Sequence, residues 1–247
     1  QLNEPHGLSL DSVGNLFIAD SANGRIRRVD AVTGTITTIA GTGDRGNAGD
    51  GGLASEATFD EIVDLQVDGD GGLFLAEGIG ASQRGENHLV RRIDFASGIV
   101  ERFAGSGSAI YSGDDGPATE AGFSPQGLAL DAEGNLYIAD FNNHRIRRVE
   151  RTTATITTVA GRGAANPITL EGGYGGDGGP ATLAQLNVPF GIAVDDAGNL
   201  YLADTGNHRV RMVEAKTGVI LTVAGNGGMG LVGEGGLGLE AELNLPV

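Results

Sequence analysis

The sequence predicts an all-β chain, a β-propeller of four four-stranded antiparallel blades. Two observations carry the prediction. The aspartate closing one short apolar run recurs at Asp11, Asp68, Asp131 and Asp195, at steps of 57, 63 and 64 residues. Each repeat also reads as four short strands separated by turn residues, and a fixed period of this size with four strands per unit is the signature of propeller blades. A lone sheet of this kind has two apolar faces and cannot bury both, whereas stacked copies can.

The elements follow in order, most plainly in Asn187–Gly225. The first strand is a brief apolar run, here Gly191–Asp195. The second reads NLFIAD at 15–20, GLFLAE at 72–77, NLYIAD at 135–140 and NLYLAD at 199–204. Its uninterrupted apolar character suits burial on both faces, so Leu136, Ile138, Leu200 and Leu202 are expected to be buried near the sheet centre. The third begins at Arg25, Val90, Arg145 and Arg209 and alternates charged with apolar residues. The fourth is a β-branched run closed by glycine, as in ITTVAG at 156–161. The blades fall at about 1–57, 58–121, 122–184 and 185–241 of one domain covering 1–247, with 242–247 approaching a further strand.

Because strands alternate up and down, the connections 1–2 and 3–4 share one face. They are tight, as at Gly14-Asn15 and Thr217-Gly218, and read as structural hairpins. The other face receives the long inter-blade loops, about 41–61, 105–125, 161–189 and 225–246, and loops this long tend to carry function or structure of their own. The second blade is the most divergent. It lacks the leading proline, has Gly72 and Glu77 for Asn and Asp, and inserts residues 78–86, which are expected to protrude on the long-loop face.

Each long loop contains one submotif: GDGGLASEA at 49–57, GDDGPATEA at 113–121, GDGGPATLA at 176–184 and GEGGLGLEA at 233–241. It reads as a tight turn followed by a short helix, with Pro117 and Pro180 in the first helical turn. The functional alternative is a Ca²⁺ site using Asp50, Asp114, Asp115, Asp177 and Glu234. Against it, the acidic ligands per loop are few and their spacing is not that of a calcium loop.

Composition bounds the partners. The formal net charge of −16 repels phosphate backbones, so no nucleic acid is expected. No 18-residue apolar run exists, so no membrane span is expected. Cysteine is absent, which excludes disulfides and thiolate metal sites. Gln1 is not a start residue, and the expectation is a mature or excised segment.

Candidate chemistry clusters at two places. The turn between the second and third strands brings together Asp20, Asp140, Asn143, His144, Asp204, Asn207 and His208. Its aspartates can accept loop amides, its asparagines suit a left-handed turn, and Arg28 and Arg148 are candidate partners for Asp20 and Asp140. His88, His144 and His208 hold equivalent places, and three histidines bind zinc when they converge. They precede the third strand, however, away from the axis. The second place is the mouth of the central channel, where the residues before the first strands vary: His6, Val63, Gln126 and Phe190.

Asn87-His88-Leu89 spells the NHL triplet. The pattern P-x-G-[IL]-A-[VL]-D, G-N-L-Y-[IL]-A-D, N-H-R-[IV]-R of the third and fourth units resembles bacterial NHL-repeat β-propellers, and the resemblance covers the whole chain. What it implies is a fold shared by non-catalytic protein- or ligand-binding modules, receptor-kinase sensor domains, RNA-binding domains and a peptide-amidating lyase. That lyase holds zinc with histidines from several blades, one in a pair like Pro5-His6. Here Val63, Gln126 and Phe190 stand at the corresponding places. Lactonase-like propellers use a carboxylate–Asn metal site, and Glu61 and Asp64 are the acidic residues that fall near it.

The expected function is a non-catalytic binding or scaffolding module, acidic and secreted (extracellular or periplasmic), that engages a protein, small-molecule or glycan ligand through the long-loop face. The alternative is a metal-assisted lyase or lactone hydrolase at the channel mouth, using His6, Glu61, Asp64, Gln126 and Phe190. No cofactor is expected, with Ca²⁺ or Zn²⁺ as the metals to test. Such rings normally have about six blades, so an incomplete arc is expected, with self-association through open blade edges. Leu8, Ile18, Ile192 and Leu202 would then be covered only by a partner.

Overall fold

The protein is all-β. The structure, a computed structural model, describes residues 1–78, 87–164 and 171–247. The first blade comprises β1 (Pro5–Leu10), β2 (Leu16–Asp20), β3 (Arg25–Val29) and β4 (Ile36–Ala40), with β5 (Gly52–Leu53) in the loop that follows. The second has β6 (Ile62–Val67), β7 (Gly72–Glu77), β8 (Leu89–Asp94) and β9 (Ile99–Ala104), followed by β10 (Gly116–Pro117). The third has β11 (Pro125–Leu130), β12 (Leu136–Asp140), β13 (Arg145–Val149) and β14 (Thr155–Ala160). The fourth has β15 (Ile192–Val194), β16 (Leu200–Asp204), β17 (Arg209–Val213) and β18 (Ile220–Ala224). Strands within each blade neighbour one another in chain order, and each pair in the first, second and fourth blades is antiparallel.

The packing divides into two compact units. The first is Gln1–Gly113 with Pro117–Leu128, and the second is Asp114–Gly116 with Ala129–Val247. In the first, Phe17, Ala19, Ile26 and Ala40 of blade one pack against Leu65, Leu73, Leu75, Ile93 and Val100 of blade two. In the second, Ala139, Ile146 and Ala160 of blade three pack against Leu200, Leu202 and Ile220 of blade four. Leu136, Ile138, Leu200 and Leu202 are buried, as the apolar run requires. Of the four residues expected to need a partner for cover, Ile18 and Leu202 are buried within the chain, Ile192 is half-buried and Leu8 is exposed.

The asparagine that opens the second strand ties two hairpins together. Asn15 donates from Nδ2 to Asp11 Oδ2 (2.7 Å), and its Oδ1 accepts the Ala31 amide (2.9 Å). Asn135 and Asn199 repeat the arrangement. Blade two substitutes a different device. A side chain at Gly72 would meet the Arg92 guanidinium at 2.4 Å, and Arg92 Nε donates to Asp68 at 2.7 Å. The arginine fills the space of the missing asparagine.

Two local expectations are corrected. Pro117 and Pro180 stand in extended backbone (φ −59°, ψ about 130°) before a single 3₁₀ turn, not inside a helical turn. That placement lets the flanking residues pair with the next blade: Gly179 O accepts the Ile220 amide (3.0 Å) and Ala181 donates to Gly218 O (2.9 Å). The left-handed residue of the second-to-third turn is not the asparagine. It is the residue after it: Gly24, His144 and His208, at φ 56°, 55° and 54°. The 78–86 insertion of blade two lies outside the described residues apart from Gly78, whose amide donates to Glu61 O (3.1 Å).

Candidate functional site

The second-to-third turn is closed by its own side chains. The asparagine points back at the strand-ending aspartate: Asn23 to Asp20 (2.8 Å), Asn143 to Asp140 (2.7 Å) and Asn207 to Asp204 (2.8 Å). The aspartate also accepts an amide from the incoming inter-blade chain, Asn3 for Asp20 (2.8 Å) and Asn187 for Asp204 (2.7 Å). Burial raises the Asp204 carboxyl despite Asn207, the Asn187 amide and Arg211.

The arginine facing these aspartates is one residue earlier than expected. Arg27, Arg147 and Arg211 pair with Asp20 (3.2 Å), Asp140 (3.7 Å) and Asp204 (3.2 Å). Arg28 instead meets Asp30, and Arg148 lies nearest Asp131 and Glu150. Side chains alternate along a strand, and Asp20 sits opposite Arg25 in register, so the residue two further on shares its face.

The submotif aspartates meet the same arginines. Asp50 accepts from Arg91 Nε (2.7 Å), Asp114 from Arg147 Nη2 (2.6 Å) and Asp177 from Arg211 Nη2 (2.6 Å). Each is a carboxylate carried by an inter-blade loop onto a buried arginine of the following blade. Arg91 is also held by the Thr58 and Ala48 carbonyls and by Glu77 (3.4 Å). Burial pushes Glu77 up to about 7 against the pull of Arg91. Of the carboxylates considered for Ca²⁺, Asp50, Asp114 and Asp177 are engaged by guanidinium, Asp115 donates its amide to Ile156 O (2.8 Å), and Glu234 is exposed.

The histidines act as acceptors for chain far away in sequence. His144 Nδ1 takes the Val188 amide (2.9 Å) and His208 Nδ1 the Leu245 amide (3.2 Å). His88 is buried, and burial lowers its pKa.

His6, Val63 and Gln126 lie inside the first strands rather than before them, and in β1 and β6 the register shifts at that point. Glu61 and Gln126 are buried. Asp64 accepts the amides of Leu65 (2.8 Å) and Leu128 (2.7 Å), and burial nonetheless pushes its pKa up to about 6. Phe190 stands edge-on to Phe141, ring centroids 6.0 Å apart. Among the described residues no three His, Asp or Glu side chains come together to hold a metal ion.

Two features escaped the sequence reading. Arg25, Arg145 and Arg209 each tie the turn to the start of the long loop, through Thr42, Arg162 and Asn226 carbonyls (2.6, 3.0 and 2.6 Å). Their fixed place at the head of R-[IV]-R was the available signal. The second is an apolar surface in the second unit. Tyr174 stacks on Arg209 (3.8 Å) and hydrogen-bonds Asp177 (3.0 Å). Arg209 reaches Asn226, and from there the loop presents Met229, Leu231 and Val232 at 65, 91 and 67% exposure.

Repeated blades tied by Asp–Asn turns and loop-borne carboxylates on buried arginines define a repeat-built propeller. The chain belongs to the NHL-repeat family. The NHL repeat model matches residues 2–29 and 124–149, and the teneurin NHL domain model matches 150–234. NHL repeat-containing protein 2 of Bos taurus is 29% identical over 242 residues, covering 91% of this chain. The chain spans about a third of that relative's length, 33%. Among solved structures, the fold is similar to one in a nidogen/laminin complex (TM-score 0.59, 16% identity, 90% of this chain, 65% of that one). It is also similar to virginiamycin B lyase from Staphylococcus aureus (TM-score 0.53, 16% identity, 88% and 54%). At these identities the structural likeness concerns the fold. No helix among the described residues is long and apolar enough to cross a membrane.

Proposed function

We propose that this chain is a non-catalytic protein-binding module that engages its partner through the long-loop face. The observation that carries the reading is the exposed run Met229, Leu231 and Val232, on the loop whose Asn226 carbonyl holds the Arg209 that stacks on Tyr174. In a chain of net charge −16, large apolar side chains held out on one loop mark an interaction surface more readily than a solvated one. Tyrosine, arginine and methionine are the residue types enriched in such surfaces. The nidogen/laminin neighbour supports the reading as an instance of this fold in a protein complex. The carboxylates and histidines of the turns are engaged in holding the scaffold, which supports a binding role over a catalytic one.

The test is capture of a partner from an extract of the source organism by the immobilised chain, with identification by mass spectrometry. The expected result is one dominant partner whose binding weakens at least tenfold in Leu231→Asp and Val232→Asp and is unchanged in Val32→Asp on the tight-turn side. A partner bound equally by all variants would place the interaction elsewhere.

A further inference from the structure

The seam between blades one and two holds a cavity of about 380 Å³ at its tight-turn end, within the first compact unit. Small-ligand pockets run from about 300 to 1,000 Å³. Phe17, Ile93 and Phe95 give the cavity an apolar wall, and Arg28, Asp11 and Asp94 bring charge to it. We infer that it binds a small aromatic monocarboxylate, the ring on the phenylalanines and the carboxylate on the Arg28 guanidinium. The site uses none of the residues of the loop reading above.

The wall is an aromatic pair. Phe17 is buried in β2, and Phe95 lies flat on it from the third-to-fourth turn of blade two, ring centroids 5.2 Å apart and planes within 10°. Phe95 is itself 37% exposed. The other blades have Ala31, Arg151 and Ala215 at this place, so the hairpin does not require an aromatic there. A ring held out at a cavity offers a second ring an offset or edge-on contact, with a gain beyond the area it buries.

Arg28 supplies the polar handle. In blade two the equivalent Arg92 donates from Nε to Asp68 at 2.7 Å, where Gly72 leaves room for it. In blade one the corresponding Asp11 is already held by Asn15, through its amide (2.8 Å) and its Nδ2 (2.7 Å). Among the described residues the Arg28 side chain therefore makes one hydrogen bond, from Nη2 to Asp30 at 3.3 Å. A guanidinium has five N–H donors, and most of these are not committed to the protein. A carboxylate is the acceptor that meets them in pairs.

The carboxylates of the cavity make no matching demand. Asp11 also accepts the Val13 amide (3.1 Å), and one oxygen of Asp94 accepts both the amide and the hydroxyl of Ser97 (2.8 Å each). Their charge opposes a second negative charge on the ligand, as does the net charge of −16. A monocarboxylate fits this balance, and a phosphate or a dicarboxylate does not.

The test is an NMR titration of the 247-residue protein with phenylacetate, and with phenylacetamide and phenethylamine as its neutral and cationic counterparts. Saturable binding of phenylacetate is expected, about tenfold tighter than of either counterpart, as the loss of charge-assisted hydrogen bonds implies. Two variants have precedents in the chain: Ala215 stands at the place of Phe95, and Met212 at that of Arg28. Phe95→Ala and Arg28→Met should therefore keep the fold by circular dichroism, and each should weaken phenylacetate binding about tenfold. Arg28→Met should also abolish the preference for the acid over the amide, which a change of packing alone would not do. No saturable binding, equal or tighter binding of the amine, or an affinity untouched by both variants would overturn the inference. Should either variant unfold, the three ligands on the wild type decide.

Discussion

The buried arginines set the energetics at the scale of single residues. Arg211 is fully buried between Asp204 (3.2 Å) and Asp177 (2.6 Å), with the Gln185 and Gly175 carbonyls completing its shell. Removing one partner of a buried pair leaves an uncompensated charge, at a cost of about 3–5 kcal/mol. Asp204→Ala is therefore expected to destabilise by about that amount in denaturant unfolding, more than Asp30→Ala on the exposed turn. Asp64 gives a pH signature instead. Its pKa, raised by burial from 3.8 to about 6, means that the folded chain keeps this proton after the unfolded chain has released it. Its contribution is fully present below pH 3.8 and is lost as pH rises through about 6, on the order of 3 kcal/mol. Unfolding measured from pH 4 to 7 should show a steeper decline in the wild type than in Asp64→Asn, where the raised Glu77 and Asp204 still contribute; parallel profiles would refute it.

At the scale of the element, the hairpin joining third and fourth strands needs a left-handed residue. Gly34, Gly98 and Gly218 supply it at φ 67°, 71° and 68°, while blade three uses Ala154 at φ 53°. A Cβ in that region costs about 1–2 kcal/mol, partly offset by the greater freedom glycine has when unfolded. Ala154→Gly should stabilise the second unit by about 0.5–1 kcal/mol, read as a rise in its unfolding midpoint. The divergence of blade two is a matter of substituted devices rather than loss. Arg92 stands in for an asparagine, and the longer Glu77 still accepts an incoming amide, that of Asp60 (2.9 Å).

At the scale of the whole molecule, stacking makes each blade's stability depend on its neighbours, as in repeat proteins generally. Blade one packs on blade two through Phe17, Ala19, Ile26 and Ala40, and blade three on blade four through Ala139, Ile146 and Ala160. Leu75→Ala in the first of these seams should therefore destabilise the first unit as a whole, by about 2–5 kcal/mol, read as a fall in its unfolding midpoint. A first blade that kept its wild-type midpoint while the second was destabilised would contradict this coupling.

By itself the sequence determined the blades. The repeat, the glycines at the turns and the apolar second strands fix four antiparallel sheets, because these are local rules of alternation and turn chemistry that each unit satisfies alone. The sequence set Arg28 against Asp20, whereas the structure sets Arg27 there, and the parity of the strand was the signal that distinguishes them. Tertiary structure decided the rest. Val188 is brought to His144 across 44 residues, and Asp50 to Arg91 across 41, by blades stacking. No local pattern encodes such meetings. A carboxylate in a glycine turn can bind calcium or a guanidinium equally well, and which one it meets depends on what the neighbouring blade places there.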